Sequence, residues 1–160
     1  MEFAPIKDAL YTWFKKTSGL DSVIWADQDG PRPARPYAVL RLITGAVKLG
    51  GQDNLRVNES GLFYLNGPRE ITVSINVIGK TALDILTTAR DSLDDPSVID
   101  DLEADGIAII EDGSPQNITE LLETGFEERA QMDLKIGFQA ERDSTAVVVT
   151  KISLNGRDLS

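Results

Sequence analysis

The chain of 160 residues contains no cysteine and no histidine. Without thiols there are no disulfides, no thiolate metal ligands and no sulfur nucleophile. Without imidazole, the commonest general base near neutral pH and the commonest metal ligand are also missing. Any catalysis would have to rest on carboxylates, hydroxyls and amines. Aromatic residues make up only 6% of the chain, so each one matters as a core or interface anchor. No apolar run approaches the ~20 residues that span a bilayer, and no charged segment leads into an apolar one near Met1. The expectation is a soluble protein, kept inside the cell that makes it, with no membrane partner.

What is present is ordinary for a globular protein: 41% hydrophobic and 26% charged residues, in a length that suits one domain over residues 1–160. The net charge of −10 is uneven, +2 over residues 1–80 and −12 over residues 81–160. Nucleic-acid affinity depends on Lys and Arg displacing condensed counterions, so an acidic chain makes a poor grip for phosphates.

Hydrophobic periodicity outlines the elements. Phe3, Ile6, Leu10, Trp13 and Phe14 recur at helical spacing, and Thr17, Ser18 and Gly19 end that helix. Val23–Ala26 is a short apolar run, followed by a loop, 27–36, with three prolines and a glycine. Tyr37–Leu49 reads as a long central strand that is apolar on both faces. Residues 50–68 read as a hairpin arm, with Leu55–Val57 and Leu62–Leu65 joined by Asn58, Glu59, Ser60 and Gly61. Ile71, Val73, Ile75 and Val77 then alternate with polar residues, the period of a half-buried strand.

Thr81 is placed to cap a helix over 82–93, with Ala82, Leu83, Ile85, Leu86, Ala89 and Leu93 as its stripe, and Pro96 opens a second helix to Glu103. Ile107–Ile110 reads as a short buried strand, and 114–125 fits either a turn of helix or an edge strand. Residues 128–141 alternate again, and Ala146–Leu154 supplies a last strand after a turn at 142–145. Helices grouped between runs of strands predict an α+β fold, a mainly antiparallel sheet with helices on one face and a projecting β-hairpin.

Three short motifs resemble known ligand or modification sites. Gly79-Lys80-Thr81 sits where a phosphate loop would end, but Ser74 stands where the motif's first glycine belongs and Ile75–Ile78 is apolar strand, so a capped helix start fits better. Asp101, Glu103, Asp105, Gly106 and Asp112 fall at calcium-loop positions with the wrong acids at two of them, and a helix end feeding a strand explains them. Asn117-Ile118-Thr119 is a glycosylation sequon only in a secreted protein. No cofactor and no metal are expected.

Residues 84–128 carry fourteen acids and one base, Arg90. Asp94, Asp95, Asp100, Asp101, Glu103 and Asp105 form the densest part, either a solvated face or a surface that repels DNA or docks a basic partner. Trp13, Trp25, Tyr37 and Phe138 are expected in the core, whereas Phe63 and Tyr64 on the arm serve equally as core residues or interface anchors.

Several stretches together resemble one family: the helix ending Thr17-Ser18-Gly19-Leu20, the Pro-rich loop into Tyr37-Ala38-Val39-Leu40-Arg41-Leu42, Gly106-Ile107-Ala108, and Phe126-Glu127-Glu128-Arg129-Ala130-Gln131-Met132-Asp133-Leu134. The chain resembles the tailed-bacteriophage neck or tail-terminator proteins over nearly its full length. The 50–68 excursion and the segment after Asp143 have no distinctive match.

The resemblance implies a non-enzymatic virion protein, made in the bacterial cytoplasm. Copies of it would form a hexameric ring that ends the tail tube and joins it to the head-completion or connector protein. The tube protein and, as a further candidate, the sheath protein would be neighbours, and DNA would pass through without specific binding. It also nominates Arg129 and Asp133 as structural or ring-contact residues. The alternatives are a baseplate, minor tail or tail-assembly protein and, in another class, a metal-dependent hydrolase built on carboxylates.

Overall fold

In a computed structural model, residues 2–123, 125–144, 153–154 and 157–158 are described. The aromatic stripe near the N-terminus folds as helix α1 (Ala4–Ser18), which buries Ile6, Ala9, Leu10, Trp13 and Phe14. Pro5 suits its first turn, Lys15 and Lys16 complement its C-terminal dipole, and Gly19 closes it at φ 67°, donating to the Lys15 carbonyl. Strand β1 (Ser22–Trp25) follows, and the Pro-rich loop then delivers strand β2 (Tyr37–Leu42) parallel to it.

The stretch 37–49 is not one central strand. It stops at Leu42, before Thr44 and Gly45, and resumes as the two-residue β3 (Val47–Lys48), leaving Ile43, Val47 and Leu49 exposed. The centre belongs instead to β5 (Phe63–Ile78), which pairs with β2, β3 and β4 (Asn54–Val57) along one side. Its 16 residues unite what the sequence read as an arm strand and a body strand.

After β5 come helices α2 (Ala82–Ser92) and α3 (Pro96–Ala104), then β6 (Ala108–Asp112), the short β7 (Gln116–Asn117) and a hairpin of β8 (Glu120–Leu122) and β9 (Gly125–Glu127). That hairpin settles the open reading of 114–125. Strand β6 is mostly exposed, a correction to its buried appearance, because it lies at the sheet margin and only its neighbour Ile107 is sealed.

Strand β10 (Arg129–Asp143) pairs antiparallel with β5 through 15 registered positions, from Arg129 opposite Ile78 to Asp143 opposite Tyr64. Arg142 and Asp143, expected in a turn, continue this ladder, since β5 extends far enough to pair with them. The main path is β1-β2-β5-β10-β6, and all its pairs except β1 with β2 are antiparallel. Two short strands, β11 (Ser153–Leu154) and β12 (Arg157–Asp158), pair with each other. The rest of the expected strand 146–154 lies outside the described residues.

Cross-strand partners share a face. Val77 opposes Ala130, Ile75 opposes Met132, Val73 opposes Leu134 and Ile71 opposes Ile136, and all eight are sealed from solvent beneath the helices. Helix α2 lies on β5 and β10, α1 on α2 and β1, and α3 against β6, so the helices cover one face. Trp13 Nε1 donates to Ser92 Oγ at 3.0 Å, tying α1 to the end of α2.

The opposite face is polar, and no helix among the described residues covers it. There Ser74 Oγ accepts from Asn76 Nδ2 and Gln131 Nε2, while Lys135 lies 3.6 Å from both Glu70 and Glu111.

Two details depart from expectation around α2. Leu83 is exposed rather than part of the buried stripe. Thr81, at φ 60°, makes no side-chain cap; its amide donates to the Glu128 carboxylate at 2.8 Å, so an acid from across the fold serves the helix start.

Candidate functional site: the arm, the charged corner and the acidic helices

The arm begins where the helices stop. Beyond Arg69, β5 and β10 continue as a ladder that β4 widens to three strands, with Leu55 opposite Leu65 and Val57 opposite Phe63. Because alternation runs unbroken from the body, Phe63 and Leu65 share the face of Ile71, and among the described residues no helix lies above them. Leu55 and Val57 are half exposed, and Leu62 at the tip more so. Phe63 is half-buried on this face, whereas the half-buried Tyr64 lies on the other, opposite Arg56 and Asp143. The two aromatic candidates therefore do not form one patch.

An ion pair fixes the arm's base. Arg69 Nη1 and Nη2 donate to Asp53 Oδ1 and Oδ2 at 2.8 and 2.6 Å, a bidentate fork with both side chains nearly sealed, and Lys48 Nζ stands 3.9 Å away. The guanidinium of Arg69, chiefly through its hydrogen bonds, holds the Asp53 carboxyl below its usual range. Gly67 makes room for this pair. A Cβ there would lie 2.1 Å from Asp53 Oδ1.

A charged corner occupies the other end of the ladder. The buried carboxylate of Glu127 lies 2.6 Å from Arg35 Nη2 and 4.0 Å from Arg129 Nε, and Arg129 also reaches Glu120 at 3.8 Å. The Arg35 contact is ionic: its angles leave Glu127 Oε1 without a hydrogen bond, and Arg129 Nε lacks one too. Arg129 is thus engaged inside its own chain. Asp133 is exposed on the polar sheet face opposite Ser74, its carbonyl accepting from the Gly113 amide. Beside this corner, the hairpin pair Leu121 and Phe126 stands open, 72% and 77% exposed.

The acids of 94–105 do not make one surface. Residues two apart on a helix point to nearly opposite sides. Accordingly Asp101 and Asp105 join Asp95 in a cleft between α1 and α3, beside Trp13 and Lys16, while Asp94 and Glu103 border a separate groove between α3 and β6. Asp100 is exposed and lines neither. Asp95 has a structural task as the cap of α3. It accepts from the Ser97 amide and hydroxyl at 2.9 and 2.8 Å, which lowers its pKa, the amide contributing most.

Sequence reasoning missed the Asp53–Arg69 fork, the Arg35–Glu127–Arg129 corner and the open Leu121–Phe126 pair. The only local hint for the first was Gly67, a small residue within a strand.

Among the described residues no three Asp or Glu side chains converge to hold a metal ion, and no helix is long and apolar enough to cross a membrane. Gly79, in the would-be phosphate loop, is instead pressed against Pro36, whose Cα would lie 2.7 Å from an added Cβ. What the molecule offers is surfaces: open strand edges, an overhanging arm and acidic clefts. No curated protein matches the chain. A family model described as phage neck terminator protein matches residues 4–158. That match spans the body, the arm and the charged corner together, and on it the chain belongs to the phage neck terminator family, as a structural component of the phage neck.

Proposed function

We propose that the chain acts as one non-enzymatic domain, copies of which form a hexameric ring ending the tail tube and joining it to the head connector. The observation that carries this reading is the arm. A three-stranded extension with Leu55, Val57 and Leu62 turned to solvent is an aggregation hazard in an isolated molecule and a natural contact in an assembly. Phe63 and Tyr64 then serve opposite faces of that contact. Arg129 is a structural residue of the charged corner, and Asp133 is a candidate for the face turned to another copy or to the tube.

The net charge of −10 suits passage of DNA without capture, since a bore poor in Lys and Arg releases few counterions. Asp100, Asp101 and Asp105 are the acids proposed for that bore. The protein would be made in the host cytoplasm and become part of the virion at the head–tail junction.

Immunogold electron microscopy of purified particles tests the address, and native mass measurement of the protein with tail tubes tests the ring. Label at the junction and a mass near six subunits are expected. Label at the baseplate, or a chain absent from finished particles, would overturn the reading in favour of a minor tail or assembly protein.

A further inference from the structure

The two margins of the sheet carry opposite charge. On the side of β2, β3 and β4, residues 30–57 hold five bases against one acid, Asp53; Lys48 flanks the Asp53–Arg69 pair and Arg35 is paired with Glu127, which leaves Arg32, Arg41 and Arg56 as the basic residues of this margin. On the far side, beyond β10, lies the groove between α3 and β6, about 300 Å3 in volume. Asp94, Glu103 and Asp112 line it, and no Lys or Arg does among the described residues. Leu102 and Ile107 are buried in its floor, while Ile99 and Ile110 are 39% and 48% exposed.

Both margins also end in open strands. β4 pairs only with β5, and β6 only with β10, so among the described residues no strand covers the outer side of either. β4 presents Leu55 and Val57, 50% and 55% exposed, on one face and Arg56 on the other. On β6, Glu111 and Asp112 are consecutive and therefore face both sides of the strand; the Glu111 side chain is 68% exposed. Thus an apolar and basic edge matches an apolar and acidic one.

A chain cannot make this match with itself. β4 and β6 are three strand spacings apart, ~14 Å, and displaced by about seven residues, ~23 Å, along the β5–β10 ladder.

The geometry points to a second copy as the occupant: β4 of one subunit adds to the outer edge of β6 in the next. Its Leu55 and Val57 cover Ile99 on the helical face of β6, and its Arg56, on the other face, meets Glu111. The contact is head to tail, so it propagates around a ring rather than stopping at a dimer. It rests on the ring reading and names that ring's interface. The acidic groove is thereby a docking surface, while Asp100, Asp101 and Asp105 lie outside it.

Because the chain has no cysteine, introduced thiols report on this contact alone. Val57→Cys and Ile99→Cys, both at exposed positions, are mixed with tail tubes under mild oxidation. The mixture should give a disulfide-linked dimer and either variant alone none, whereas the double variant should give a ladder ending at the closed ring. In parallel, Arg56→Glu and Glu111→Arg should each lower the assembled fraction about 10-fold, and together restore it to within about 2-fold of the parent.

Rings that form on tubes without the mixed cross-link, and that ignore both charge reversals, overturn this interface while leaving the ring intact. Cross-linking of Val57→Cys alone overturns it in favour of an arm-to-arm contact. A parent chain that never assembles on tubes overturns the interface and the ring together.

Discussion

Strands β5 and β10 run through both the body and the arm, yet the same ladder is finished differently in the two regions. Under the helices every inward side chain from Ile71 to Val77 and from Ala130 to Ile136 is sealed. Past Arg69 the inward face carries on through Leu65 and Phe63, with no helix above among the described residues, and its neighbours on β4 are half exposed. Backbone pairing is equally continuous in both. What separates a sealed core from an open surface here is the reach of the helical layer, with the Asp53–Arg69 fork marking the boundary.

That contrast can be broken first in the body. Leu134→Ala removes a fully buried side chain between β5 and the helices and should cost about 2–5 kcal/mol in a denaturant titration. At the boundary, Gly67→Val drives a side chain into Asp53 and should cost about 1–3 kcal/mol, with amide exchange rising first at residues 54–66. A body that opens together with the arm would show that the fork is not a boundary.

Acid should sharpen the contrast without mutation. Because the Asp53 pKa is lowered in the folded chain, its contribution is complete above the unfolded value of about 4 and is lost as pH falls through the lower folded value. Exchange at the arm should therefore accelerate below about pH 4, and Asp53→Asn should remove that pH dependence. The smallest effect is expected at the exposed rows. Leu55→Ala should change the stability of the isolated chain by no more than ~0.5 kcal/mol, while weakening assembly on tail tubes.

The body was legible because burial on one face writes itself into the sequence at a period of two. The alternation of residues 71–77 and 130–136 gave both long strands, and Pro96 announced the start of α3. The arm was legible as a pair of strands but not as part of the main sheet, since Gly67-Pro68 reads locally as a break. Only Asp53, 14 residues earlier in the chain, explains the glycine.

Ile43, Val47 and Leu49 misled for a related reason: composition does not distinguish an apolar residue destined for the core from one left for solvent or a partner. The acidic segment was visible as charge, but its division between two clefts follows from the rotation of α3 and the placement of β6, which spacing alone does not supply. The capping role of Glu128 was hidden likewise, because it reaches Thr81 from 47 residues away.

One unbroken strand from tip to core also constrains how such proteins can diverge. Inserting or deleting one residue near Gly67 would turn every later side chain of β5 over, sending Ile71 and Val73 to water and Thr72 and Ser74 under the helices. Changes at the tip, 58–62, disturb no pairing downstream. Variation in the arm's reach among relatives should therefore collect at the tip, with the junction to the body held at constant length.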